Sequence, residues 1–423
     1  MKKICVVGLG YIGLPTAAVF AEAGCEVLGI DVNEKIINKL NQGLIHIEEN
    51  GLDEVVKRVV KSGNLKASLK PEQADVFIIA VPTPIHEDFT ANVDYVVDAA
   101  KSIVPVLKKG DVVIVESTIP PRTIDDIVAP ILEDSGFNLK EDIYLAHCPE
   151  RVLPGKILEE LVYNTRIVGG YTPEAAVEAS NVYRIIVKGD ILQTEALTAE
   201  MSKLMENTFR DVNIALANEL AKVSQKLGVN AHEVIELANK HPRVNIHLPG
   251  PGVGGHCLAV DPYFIVEKAT DEAKMIKLAR DINTSMPDFV TKQVELLVSE
   301  IEKPKIAVFG LAYKGNIDDY RESPAVEIYE KLKNNQRLEI FVHDPHIEQE
   351  NINLTLYSFE EAVKDANLIL ILTDHNEFKN LTEEDLVPVM KNPVIFDTRN
   401  CLNIKGDEIT VYKIGNLGFI KPV

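Results

Sequence analysis

Lys3-Ile4-Cys5-Val6-Val7 is a short apolar run that stops at Gly8-Leu9-Gly10-Tyr11-Ile12-Gly13. Residues 14–23 then read as a helix, Gly24 ends it, and a second apolar run ends at Asp31. Strand, GxGxxG, helix, strand and acid in this order leave few folds open. They form the first unit of a doubly wound parallel sheet that takes a dinucleotide. The first glycine permits the tight turn. The second lets a pyrophosphate approach the backbone, and the third lets helix and strand pack closely. The helix N-terminus then faces the phosphates. Asp31 can accept hydrogen bonds from free ribose hydroxyls and would repel a 2′-phosphate, so NAD is expected over NADP.

The α/β pattern continues. Residues 74–81 predict a strand running into Pro82-Thr83-Pro84, residues 94–106 a helix, and residues 111–115 a strand running into Glu116-Ser117-Thr118. A strand over 143–146 leads to His147-Cys148-Pro149-Glu150-Arg151-Val152. Open parallel sheets bind ligands at such strand ends. On this segment alone, Glu150 and Arg151 read as a solvated charge pair.

Much of this pattern recurs late in the chain. Residues 305–315 echo residues 3–13, with Ala312 where Gly10 stood. The runs ending at Asp344, Thr373 and Thr398 follow in the same order as their counterparts. The fold class is therefore α/β, with two Rossmann-like parallel-sheet domains joined by a central helical domain. The expected boundaries are 1–192, 193–300 and 301–423. With its second glycine lost, the copy should hold a nucleotide differently, with Lys314, Arg321 and Arg399 as candidate cations for phosphates.

Between the two lies a stretch, 197–227, without glycine or proline and with apolar residues at helical period. Gly228 is its natural stop. A helix of this length bridges domains or builds a dimer interface. Lys203 and Asn207 stand four apart on one face, either as surface decoration or as a pair facing a substrate oxygen. The helix leads toward Pro249-Gly250-Pro251-Gly252-Val253-Gly254-Gly255-His256-Cys257, with Asp261 four residues on. Amides on such a loop stabilise a thiolate and an oxyanion. A buried structural cysteine is the alternative.

Composition narrows the partners. A formal net charge of −20 argues against nucleic acid and anionic membrane surfaces. Five scattered cysteines fit a reducing cytosol. The apolar start resembles a signal peptide superficially, but its glycines place it in the first strand and helix. No uninterrupted apolar run reaches about 18 residues, so no membrane span is expected.

These stretches together resemble the nucleotide-sugar 6-dehydrogenases, the UDP-glucose/GDP-mannose dehydrogenase family, across essentially the whole chain. The resemblance rests on the GxGxxG, Glu116-Ser117-Thr118, Pro149-Glu150, Lys203 with Asn207, Gly254-Gly255-His256-Cys257 with Asp261, Tyr313-Lys314, and Arg321-Glu322-Ser323. It implies an NAD-dependent four-electron oxidation of a sugar C6 hydroxymethyl, a dimer through the central helix, possibly a higher oligomer, and UDP held by the C-terminal domain. Arg151 and His256 resemble the branch acting on UDP-N-acetylhexosamines. The mannosamine epimer is expected as substrate, with the glucosamine epimer and then UDP-glucose as alternatives.

By the same resemblance, Cys257 is the nucleophile, Lys203 and Asn207 stabilise an oxyanion, Asp261 moves protons, and Thr118 and Glu150 position water or share the base role. NAD would meet Gly8, Gly10, Tyr11, Ile12, Gly13, Asp31, Lys35, Thr83, Thr118 and Arg321. The UDP-sugar would meet Glu150, Arg151, Val152, Lys203, Asn207, Arg210, Arg243, His247, Gly254, Tyr313, Lys314 and Arg399, with Arg243 reaching from a partner subunit. A two-electron hydroxyacid dehydrogenase and a non-catalytic NAD-binding assembly protein are the other classes weighed. No metal is expected, since His256 and Cys257 are adjacent and no further ligands stand at zinc spacing.

Overall fold

The computed structural model describes residues 2–153, 155–404 and 407–417. The chain divides into two compact units. One comprises Met1–Glu206 with Tyr263–Glu272, the other Asn207–Pro262 with Ala273–Val423.

The first unit is built on an eight-stranded sheet: β1 (Lys3–Val7), β2 (Glu26–Ile30), β3 (Leu65–Ser68), β4 (Val76–Ile79), β5 (Val112–Val115), β6 (Tyr144–His147), β7 (Arg166–Gly170) and β8 (Ile191–Glu195). Their order is β3-β2-β1-β4-β5-β6-β7-β8, all parallel except the β6–β7 pair. Strand order reverses between β1 and β4, which opens a crevice at their carboxyl ends. Both sheet faces are covered, so the strands read as continuous apolar runs. Ile4 and Val6 pack into one core and Cys5 and Val7 into the other; in β4, Val76 and Ile78 oppose Phe77 and Ile79 in the same way. The sequence-predicted helix over 94–106 becomes Asp94–Ile103, then tightens to a 3₁₀ turn at Val104–Val106, where Pro105 has no N–H to continue the ladder. Strands β3, β7 and β8 were not anticipated. β8 is half exposed and polar at three of five positions, so it lacks an apolar signature.

The second unit holds an all-parallel sheet: β9 (Lys305–Phe309), β10 (Glu339–His343), β11 (Leu368–Ile371), β12 (Val394–Asp397) and β13 (Thr410–Lys413), ordered β10-β9-β11-β12-β13. This repeats the arrangement around β1, down to the hydrogen bonds. The Gly8 N–H donates to the Ile30 carbonyl at 2.8 Å, and the Gly310 N–H to the His343 carbonyl at 2.9 Å. Both glycines have positive φ. Leu9 N–H donates to Asp31 Oδ2 at 3.1 Å, and Leu311 N–H to Asp344 Oδ2 at 2.7 Å. The copy departs where its helix should begin. The first helix starts at Gly13, the second only at Pro324. There Ser323 caps the Ala325 N–H and Pro324 sets the first helical φ. Residues 311–323 are left as a long loop.

The long helix is Ala196–Leu227, 32 residues or about 48 Å. Gly228 takes φ 74° just past its end, the left-handed conformation glycine favours there. No described helix is long and apolar enough to cross a membrane.

Candidate active site

In the first unit the three glycines of the dinucleotide loop have separate reasons to be glycine. A Cβ at Gly8 would stand 2.5 Å from the Ala80 carbonyl oxygen, and one at Gly13 only 1.8 Å from that of Gly8. A Cβ at Gly10 would meet nothing within 4 Å, so that face is open to a ligand. The helix Gly13–Glu22 has no side-chain cap and no acid in its first turn, which leaves its amides for an anion. Asp31 accepts from Leu9 and Asn33 N–H and keeps lone pairs for a ribose. These features fit NAD. Tyr11 is exposed beside the loop, Ile12 opens the helix, and Lys35 is exposed in the next helix. The loops after β4 and β5 are fastened together. Thr83 Oγ1 donates to the Thr118 carbonyl at 2.6 Å, and Ser117 Oγ bonds the Val81 backbone.

Beneath these loops lies a group that the sequence reading missed. Arg166, 4% exposed, stands between two buried carboxylates. Its Nη2 is in ion-pair contact with Glu150 Oε2 at 2.8 Å, and its Nη1 lies 3.6 Å from Glu116 Oε1. Tyr183 Oη donates to Glu116 at 2.6 Å, and Thr16 Oγ1 at 3.3 Å. The solvated Glu150–Arg151 pair is thereby overturned. Glu150 is buried on Arg166, and Arg151 turns to Glu206 at 2.5 Å and to the Thr165 carbonyl. One guanidinium cannot balance two carboxylates equally, and the nearer one, Glu150, has first claim. Burial, opposed by the Arg166 charge, pushes Glu116 up to about 7. The unfolded chain releases that proton near 4.5, so between those values the folded state holds more protons. Stability must fall as pH rises through this window and level off above it. Glu116→Gln should remove that slope. Relative to the variant, the parent should lose on the order of 3 kcal/mol between about pH 4 and pH 8 in urea unfolding. Parallel pH profiles would refute it.

In the second unit, four glycines and two prolines carry the chain to Cys257. Gly255 has φ 86° and packs on the Tyr313 ring, 3.0 Å from its would-be Cβ; a Cβ at Gly254 would strike the Glu322 carbonyl oxygen at 2.6 Å. The Cys257 carbonyl accepts from Val260 and Asp261 N–H, turning the chain into the helix Asp261–Lys268. Asn207 Nδ2 donates to the buried Asp261 carboxylate at 2.6 Å. Of the five cysteines only Cys257 is exposed. Burial pushes the thiols of Cys5, Cys148 and Cys401 up to about 12, so none of these is a nucleophile at neutral pH.

Other expected contacts fall around this loop. Arg399 approaches Gly250, and its Nη2 meets Asp374 at 3.2 Å. Lys314 is exposed on the long loop. Arg321 is held bidentate by Asp319, which also faces His256 at 3.6 Å. His247 is held below its ordinary value by burial and by the neighbouring charge of Arg210. Arg243 is exposed beside His241. In the first unit, Val152 and Lys203 are half-buried, the latter on the same helical face as Asn207.

Among the described residues, His346, His375 and Glu377 come close enough to hold a metal. His375 Nδ1, however, accepts the Asn316 N–H at 2.9 Å. Its proton is then on Nε2, facing Asp344 at 3.3 Å, and no lone pair is left for an ion.

Residues 2–187 match the NAD binding domain of the UDP-glucose/GDP-mannose dehydrogenase family, 197–285 its central domain and 307–404 its UDP binding domain. The chain is 49% identical to a UDP-N-acetyl-D-mannosamine dehydrogenase of Methanococcus maripaludis, covering 95% of this chain and 93% of that one. It is 46% identical to an NDP-N-acetyl-D-galactosaminuronic acid dehydrogenase of Ralstonia solanacearum, over 96% and 97%. A structure of the UDP-N-acetyl-mannosamine dehydrogenase of Staphylococcus aureus superposes with TM-score 0.92 at 54% identity, over 99% of each chain. With three successive domains matched and the dinucleotide loop intact, the chain belongs to the UDP-glucose/GDP-mannose dehydrogenase family.

Proposed function

We propose that the protein oxidises C6 of UDP-N-acetyl-D-mannosamine to the carboxylate in two successive steps, with Cys257 as nucleophile. The observation that carries this reading is the exposed Cys257 on a glycine turn, one helical turn before the buried Asp261–Asn207 pair. The names of the relatives support the substrate.

NAD, held by the Gly8–Gly13 loop and Asp31, would supply the hydride acceptor for each oxidation at C6. The chain's own residues do the rest. As the C6 hydroxyl becomes an aldehyde, its proton passes to Asp261 or to water held by Thr118 and Glu150. Cys257 Sγ adds to the aldehyde carbon, and the oxygen takes a proton, giving a thiohemiacetal. Lys203 and the second N–H of Asn207 stabilise the oxyanion during addition. Loss of the second hydride and the hydroxyl proton leaves a thioester. Water then attacks, the C–S bond breaks, and carboxylate and thiol are released.

Lys314, Arg399 and Tyr313 would hold the UDP, and His256 and Arg151 the sugar side. The protein divides functionally at 1–192, 193–300 and 301–423. Met205, Phe209, Leu216, Val223 and Leu227 expose an apolar stripe along the long helix. This supports a homodimer through that helix, with Arg243 reaching the partner's site. The free thiols fit a reducing cytoplasm.

A panel of UDP-sugars with NAD, followed by NADH release and product mass, tests the reading. UDP-N-acetylmannosamine should give the uronate, with UDP-glucose scarcely used, because a site that pairs an acetamido group is left unmatched without it. Efficient UDP-glucose turnover, or preference for the glucosamine or galactosamine epimer, would displace this substrate. In the same assay NAD should be favoured over NADP, and Asp31→Ala should erode that preference. An unchanged ratio would remove Asp31 from cofactor choice.

A further inference from the structure

We propose that a buried hydrogen-bond chain between the long helix and the helix Lys274–Thr284, Arg280–Asp211–Asn283–Asn218, positions the Cys257 loop through the Gly250 N–H. This makes Asn218 and Asn283 positioning residues for the nucleophile. The proposal rests on the reading of Cys257 given above.

Every member of the chain is buried: Asp211 and Asn218 at 0%, Asn283 at 1% and Arg280 at 4% exposure. Arg280 Nη1 donates to Asp211 Oδ1 at 2.6 Å. The carboxylate can only accept, so Asn283 must turn its Nδ2 toward it, at 2.8 Å. That sends Asn283 Oδ1 toward Asn218, which must answer with Nδ2, at 2.9 Å. Asn218 Oδ1 then has one direction left, and it takes the Gly250 N–H at 2.8 Å. Asn283 Nδ2 also donates to the Asp211 backbone carbonyl at 3.0 Å, so two acceptors of one residue fix its orientation, and the Asn218 amide is forced in turn. A group left unpaired at such depth keeps its full desolvation penalty.

The far end of the loop returns to the same helix through Asn207 and Asp261. Asn207 and Asn218 are three turns apart, about 16 Å along one rod. The loop between Gly250 and Asp261 is thus clipped at both ends to one rigid element, with Cys257 between the clips. Upstream, Asn213 holds the Asn245 carbonyl and the His247 N–H, each at 2.9 Å. The helix therefore fixes the approach to the loop as well as the loop itself.

Forced polarity supplies the test. Asn218→Asp keeps an acceptor for Gly250 but sets a second acceptor against Asn283 Oδ1. Asn283→Ala removes the middle link, so that nothing orients the Asn218 amide. Each single variant should lose about 100-fold in kcat, the cost of misplacing a nucleophile by roughly an ångström, with KM for NAD unchanged. Iodoacetamide alkylation of Cys257, read by peptide mass, should change several-fold in rate. Asn218→Ala removes the clip itself and adds no charge. It should match the other two variants in lost kcat and in altered alkylation. It also keeps the test open if one of the others folds poorly, with NAD binding and melting as checks. Parent-like alkylation in the folded variants would overturn the proposal. Altered alkylation with unaltered acid formation would uphold the clamp and count instead against Cys257 as nucleophile.

Discussion

Cys257→Ala should bind NAD and UDP-sugar about as well as the parent and yet form no uronate. The parent should release two NADH for each limiting substrate. The aldehyde of the first oxidation must remain at the site for the second, and a bond to Sγ keeps it there. The substitution leaves the dinucleotide loop, Asp31, Lys203 and the Asn207–Asp261 pair in place. It removes only the atom through which an aldehyde can become a thioester. A trace of aldehyde or its hydrate is the most the variant should release, since the first step is reversible and nothing traps its product. Removing a nucleophile on which the whole sequence depends typically costs about 10⁴-fold or more in kcat. Cys257→Ser should accumulate a covalent ester, visible in intact mass, because an oxygen ester hydrolyses more slowly than a thioester. One NADH per substrate in the parent, or acid formed at near-parental rate by the alanine variant, would return the protein to the two-electron class.

The second large effect should come from Arg166→Met. Methionine matches much of the volume and none of the charge. Glu150 and Glu116 would then share a buried site with no cation between them. Breaking a buried pair from one side costs about 3–5 kcal/mol, since the surviving charge cannot reach water. Glu116, already raised to about 7 with the cation present, would hold its proton without it, so the unpaired charge at neutral pH is that of Glu150. The loss should shrink as the medium becomes acidic. Denaturant titration at several pH values would show this. A loss independent of pH would mean that methionine fails by packing and that the charges matter little. If Glu150 shares the base role, kcat should also fall, and Arg166→Lys should restore part of it by returning the charge without the planar fork.

The sequence was most informative where backbone geometry restricts residue type. Gly8, Gly13 and Gly310 announce their positions because a side chain there meets a carbonyl or demands an unfavourable φ. The two sheets are legible because strands covered on both faces must be apolar throughout. The long helix is legible because 32 residues without glycine or proline have few other fates. Arg166 was not legible. A lone arginine opening the run Arg166-Ile167-Val168-Gly169-Gly170 reads as a strand end in water, and only tertiary folding brings Glu116 and Glu150 to it. A charge at the head of an otherwise buried strand was the available signal. Asn218 and Asn283 carried still less. Asparagine on a helix is ordinary decoration until a partner 65 positions away answers it. The Glu150–Arg151 pair misled for the opposite reason, because adjacency in sequence suggested a partnership that the fold divides.

Asp344 bears on how far the two sheets can be exchanged in design. Its counterpart Asp31 accepts two backbone N–H groups and retains capacity for a guest. Asp344 accepts four, from Leu311, Ala312, His346 and Ile347, and faces His375 Nε2 as well. Burial alone would raise its carboxyl, but those donors hold it below the ordinary carboxylate range. The acid that greets a ribose in one sheet is, in the other, the keystone of its own loop. An engineer who restored the missing glycine with Ala312→Gly would recover the motif on paper and no second dinucleotide site. The acid is already spoken for, and the helix that should meet the phosphates starts at Pro324. Undoing one change exposes the next, so the duplicated sheet behaves as a ratchet. Its specialisation is held by several mutually dependent parts, and no single substitution leads back.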